Sequence, residues 1–139
     1  MADQAYNIFR RLLGSATAQP PGIDYIADDI RGYLVDTNLY AFDVTHQYLS
    51  DIPVGARIAS GLLTGKVIDT NGAWDADPLV IPTVNGNPFG AIVYIKDTGT
   101  PATSPLLVFL NSYANLPVTP NGSDVTITHP PDSNKILRP

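Results

Sequence analysis

Near the start of the chain, apolar positions recur at intervals of three and four. Ala5, Ile8, Phe9, Leu12 and Leu13 within AYNIFRRLL (5–13) make one stripe, which predicts a short amphipathic helix. Gly14 supplies its stop, and SATAQPPG (15–22) reads as a proline-stiffened linker. Residues 1–22 are therefore expected to be a helix and arm separable from a body at 23–139. From Ile30 the texture turns to β. Strands are predicted at 30–35, 56–60, 65–70, 77–82, 90–96, 104–110, 124–128 and 134–137, with a short helix over 43–51 capped by Asp43 or Thr45. Turn signals at Thr70-Asn71-Gly72, Asn85-Gly86-Asn87-Pro88 and Asn121-Gly122-Ser123 punctuate them. The pattern predicts a mostly β protein, an antiparallel β-sandwich or barrel-like domain.

The densest apolar stretch is AIVYIKDTGTPATSPLLVFL (91–110). Ile92 and Tyr94 alternate with Val93 and Ile95, and Leu106, Val108 and Leu110 alternate with Leu107 and Phe109, so both strands are apolar on both faces. A half-exposed strand alternates apolar with polar. This one predicts a central hairpin, covered on one face by an opposing sheet. The 5–13 helix, an arm or a neighbouring subunit covers the other.

Composition narrows the partners. Apolar residues make up 44% of the chain and charged residues only 15%, against about 25% in an ordinary soluble domain. A surface so poor in charge suits contact with other subunits. The net charge is −5, and the eight Lys and Arg are scattered apart from Arg10-Arg11, which argues against nucleic acid as a partner. No apolar run is long enough to span a bilayer, and the N-terminal segment lacks the uninterrupted apolar core of a signal peptide, so no membrane partner is expected. Cysteine is absent, which removes disulfides and thiolate chemistry.

The candidates for chemistry are thin. His46 lies near Asp43 and Asp51, where a hydrogen bond in a loop or cap is the expected role, and His129 reads as a strand-end residue. Asp75 and Asp77, with Asp69 before them, resemble an oxygen cluster for a hard cation, but a proline follows at once and turn bonding is favoured. Asp28-Asp29 reads as a solvated turn. No serine sits in a G-x-S-x-G context. All thirteen acids are aspartates, the residue of turns and caps. The reading is a non-enzyme with no catalytic residue, cofactor or metal. Trp74, the one tryptophan, is a core or interface anchor.

IRGYLVD (30–36), THQYLSDI (45–52), WDAD (74–77), KDTGTPATSPLL within 91–110, and PVTPNGSDVTI (117–127) occur in this order. Together they resemble a family of small tailed-bacteriophage virion proteins, over most of residues 23 to 137. The resemblance implies a structural protein of the virion, foremost a capsid decoration (cement) protein. It implies the major capsid protein as partner, a homo-oligomer with a trimer favoured, and a place on the outer head surface after assembly in the host cytoplasm. It carries over no catalytic residue. The sequence departs from the pattern at His129-Pro130-Pro131, where the family has a tryptophan and a polar turn. In such a role residues 1–22 would be the reaching arm, with Ile8, Phe9 and Leu12, and also Trp74, as interface residues. Two alternatives remain: a tail or head-fibre module recognising a host glycan or receptor, using Tyr25, Tyr33, Tyr40, Tyr48 and Trp74, or a connector ring of the neck or tail.

Overall fold

A computed structural model of the chain describes residues 4–9, 23, 25–68, 70, 73–111 and 116–128. They build nine strands: β1 (Gln4–Ala5), β2 (Ile30–Val35), β3 (Arg57–Leu62), β4 (Val67–Ile68), β5 (Trp74–Asp75), β6 (Leu79–Ile81), β7 (Ala91–Lys96), β8 (Leu106–Leu110) and β9 (Val125–Ile127). The fold is mostly β and every pairing is antiparallel. Five strands form the main sheet in the order β1-β8-β7-β2-β3, and β4-β5 and β6-β9 form two small ribbons. The expected strand at 134–137 lies outside the described residues. β1 and β5 are two residues each, too short to leave a periodic signal.

The hairpin of β7 and β8 sits inside the main sheet, and both strands are buried along their whole apolar length. Ile92 and Tyr94 point to one face, into a cluster with Phe9, Tyr25, Trp74, Leu79, Ile81 and Ile127. Val93 and Ile95 point to the other, into a cluster with Tyr6, Ile8, Tyr40, Leu49 and Ile52. β8 does not alternate as expected. Tyr94 pairs with Val108 and Ile95 with Leu106, so Leu107 is the extra residue of a bulge. Leu107 and Val108 consequently share the first face, while Leu106 and Phe109 share the second.

The first face is covered by the two ribbons. β6 comes close because Gly32 and Gly61 present no side chain: a methyl group on Gly32 would stand 2.6 Å from Leu79 Cδ2 and 2.8 Å from Tyr94 Cε1. The second face is covered within the chain, chiefly by the segment 36–56, with Tyr6 and Ile8 of the expected 5–13 helix adding to the cover. The short helix expected over 43–51 is replaced by turns, with a single 3-10 turn at Leu49–Asp51. The reason lies in the aspartates. Asp43 accepts a bond from the Thr45 N–H at 2.9 Å, and Asp51 accepts from the N–H groups of Gln47 and Tyr48 at 2.8 and 3.1 Å. Such local bonds offer the backbone an alternative to the helix.

The N-terminal expectation also changes. Gln4 and Ala5 pair with Phe109 and Val108, which stitches the chain start to the edge of β8. Helical backbone is present at 7–9, and residues 10–13 lie outside the described residues. Tyr6, Ile8 and Phe9 are 0%, 2% and 1% exposed. Residues 4–9 therefore belong to the body, not to a detachable arm, and the boundary drawn at 22 falls too late for them. An unclosed β8 edge lined with apolar residues is what draws them in.

Candidate functional site

The residues expected to meet a neighbour are used inside the chain. Ile8 and Phe9 are buried on opposite faces of the sheet. Trp74 is 6% exposed, stacked on Tyr25 at a centroid distance of 4.3 Å and met edge-on by Phe9 at 5.3 Å. The Tyr25 hydroxyl donates to the Asp75 carbonyl at 2.6 Å, and the Lys66 ammonium lies 5.9 Å from the centre of the Tyr25 ring. Phe9, Tyr25 and Trp74 are a core anchor, and the burial of Ile8, Phe9 and Trp74 within the chain corrects their assignment as interface. Leu12 lies outside the described residues. The five aromatics proposed for a host-recognition groove do not converge. Tyr25 and Trp74 are buried on the first face, Tyr33 and Tyr48 pack against the second-face cluster, and Tyr40 lines an open cleft.

The acidic candidates separate in the same way. Among the described residues no three of His, Cys, Asp or Glu gather to hold a metal ion, and Asp69 and His129 lie outside the described residues. Asp28 pairs with Lys96 at 3.2 Å, and Asp97 pairs with Arg31 at 2.8 Å. Partial burial pushes the Asp97 carboxyl up, but the Gly99 N–H and the Arg31 guanidinium outweigh it and hold it below the usual value. Among the described residues no helix is long and apolar enough to cross a membrane.

The segment 36–56 builds the more open region. The buried Asp36 starts it, accepting the Asn38 N–H on its carboxylate and the Tyr40 N–H on its carbonyl. Arg57 closes it, donating to the carbonyls of Ile52 and Leu49 at 2.9 and 3.2 Å. Between these ends it is sewn to the sheet by backbone bonds from Asn7 to Val44, Leu49 to Ser104 and Leu106 to Gln47. A line of polar groups crosses it: Tyr6 OH to Tyr40 OH at 2.8 Å, then Tyr40 OH to His46 Nδ1 at 2.9 Å. His46 Nε2 stands 3.9 Å from Asp43 Oδ2, so the expected His–carboxylate proximity is present. Burial raises the Tyr6 hydroxyl well above the ordinary tyrosine value, and burial raises Tyr40 as well. Both hydroxyls stay protonated, which suits a role as hydrogen-bonded fillers.

Beside this line opens a cleft of about 590 Å³. Its aromatic wall is Tyr40, Phe42 and Phe109, and Gln4, Thr37 and Asn111 add amide and hydroxyl groups. Phe42 is held from behind by Tyr6 and Phe109, at 4.9 and 5.3 Å between ring centres. The sequence gives no signal for this grouping. Its residues come from the chain start, the 36–56 segment and the end of β8, and only the sheet order brings them together.

Large apolar side chains are also exposed on β3, β4 and β6. Leu62, Val67, Ile68 and Val80 are between 45% and 53% exposed. They sit on β3, β4 and β6, where β6 packs over β3 and β4 follows β3 after the turn at 63–66. No protein-family model matches the chain, and no curated protein matches it significantly.

Proposed function

We propose that the chain is a structural protein of a tailed-bacteriophage virion, a decoration protein that binds the outside of the head lattice and stabilises it. The resemblance across residues 23 to 137 supports this reading. The structural observation that carries it is that four large apolar side chains, Leu62, Val67, Ile68 and Val80, stand about half exposed on β3, β4 and β6. Apolar side chains that point to different sides suit a chain packed among several neighbours. The core offers a rigid backing for such contacts, since the main sheet is covered on both faces by the chain's own residues. In this role these side chains meet the major capsid protein and sister copies, as a trimer. Weak contacts repeated by symmetry then add up across the lattice.

The test is co-sedimentation of the purified chain with expanded heads that lack it. The expected result is saturable binding that falls about tenfold or more in Leu62→Asp/Val80→Asp, a variant whose folding is checked by circular dichroism. Heads that sediment without the chain, or a folded double variant that binds as well as the parent, contradict the proposal.

A further inference from the structure

We infer that the cleft beside Tyr40 and Phe42 is a binding site for a neutral, polyhydroxylated ligand of the saccharide class. The first support is shape. At about 590 Å³ it lies in the range of small-molecule sites and is wide enough for one or two sugar rings.

The second support is the chemistry of the wall. Among the described residues that line it, none is charged. An anionic or cationic ligand would lose its hydration against aromatic rings without meeting a counter-charge on these described residues, which is costly. A purely apolar ligand fails for the opposite reason, because it would cover the Gln4 amide and the Thr37 hydroxyl without answering them. A sugar satisfies both halves. Its C–H face lies on an aromatic ring, and its hydroxyls donate to and accept from amides and hydroxyls.

The third support is rigidity. Phe42 is half-buried, with Tyr6 and Phe109 fixing its ring while it lines the cleft. Tyr40 is fixed by its bonds to Tyr6 and His46. Gly90 contributes backbone alone, and a side chain there would collide with the Thr37 hydroxyl, so glycine leaves Thr37 its place in the wall. A wall ordered before the ligand arrives loses little entropy on binding. Phe42 is the stacking platform, and Thr37 and Gln4 supply the hydrogen bonds that distinguish one hydroxyl pattern from another.

The experiment is titration of the isotope-labelled free protein with a panel of neutral mono- and disaccharides: glucose, galactose, mannose, N-acetylglucosamine and maltose. Amide resonances are followed by NMR. The expected result is a saturable shift of Gln4, Thr37, Phe42 and Gly90 with at least one sugar, and little change in β6. Phe42→Ala is expected to weaken that sugar about tenfold. Because Phe42 also packs on Tyr6 and Phe109, Thr37→Val is the second variant; it keeps the shape, removes one hydroxyl and is expected to weaken binding about fivefold. A panel that shifts no cleft resonance overturns the inference. So does a cleft that responds to tetramethylammonium or to a proline-rich peptide and not to any sugar, or binding that both variants leave unchanged. No heads are present in the titration, so its outcome is independent of the decoration role.

Discussion

The two faces of the β7–β8 hairpin are buried alike, yet their covers are built on different principles. On the first face the cover is made of strands, with Leu79, Ile81 and Ile127 from the β6-β9 ribbon and the Trp74–Tyr25 stack from the β4–β5 side. Ladder bonds satisfy much of that cover's backbone, so its side chains are free to be almost wholly apolar. On the second face the cover is a loop, and its backbone groups find partners one at a time: Asp36, Asp43 and Asp51 within it, Arg57 at its end, Asn7 and Ser104 beyond it. A loop that acts as a wall has needs that a strand does not. It requires polar residues close to the core, and at its margin it leaves an aromatic cleft that strand packing closes on the other side.

Truncating one buried residue on each face separates the two covers. Ile92→Ala and Ile95→Ala are each expected to cost about 2–5 kcal/mol in urea unfolding of the isolated chain. If the second face were completed by a neighbouring subunit, Ile95→Ala would be far milder than Ile92→Ala at low protein concentration.

The polar line gives a smaller effect with a direction. Tyr40→Phe strands the Tyr6 hydroxyl, which is fully buried, and is expected to cost about 1–3 kcal/mol. Tyr6→Phe leaves Tyr40 its bond to His46 and is expected to cost less, about 1 kcal/mol. Equal losses in the two variants, measured by the same unfolding curves, would mean that the line is not ordered as described.

Acid should loosen the loop cover before the strand cover. The Thr45 hydroxyl and N–H hold Asp43 below the usual carboxylate range, and the N–H groups of Gln47 and Tyr48 hold Asp51 below it. A depressed folded value contributes stability that is present above the unfolded value of 3.8 and is lost as pH falls through the folded value. Below about pH 4, hydrogen-exchange protection of residues 44–52 is therefore expected to fall before that of 79–81. Asp51→Asn should flatten this acid dependence, and an unchanged profile would assign it to other groups. The smallest effect belongs to the Arg31–Asp97 pair, part-exposed on both sides: Arg31→Ala is expected to cost no more than about 1 kcal/mol, less in high salt.

Much of the fold was legible because its strands are long enough to show a period. IRGYLV, AIVYIK and LLVFL lie where alternation or an unbroken apolar run placed them, and the two-sided burial of the hairpin follows from the same pattern. What escaped is what a period cannot encode. The Leu107 bulge moves one residue across the sheet and leaves the composition of β8 unchanged. Gln4 and Ala5 form a strand because the β8 edge needs covering, although the spacing around them is helical. Asp43 and Asp51 favoured turns over the helix through their own side-chain bonds. The Ile8 and Phe9 stripe was correctly read as apolar, but spacing does not say whose core it enters, and both entered their own. The cleft had no local signature, since Gln4, Phe42 and Asn111 meet only through topology.

The central functional claim concerns where this chain sits, and imaging of a virion that carries it, by electron cryomicroscopy, tests that most directly. Density for the chain is expected at symmetry-equivalent positions over the outer head, with Leu62, Val67, Ile68 and Val80 turned toward the capsid protein or a sister copy. Density confined to a single ring at the neck or tail, or a head on which these four side chains face open solvent, would contradict it.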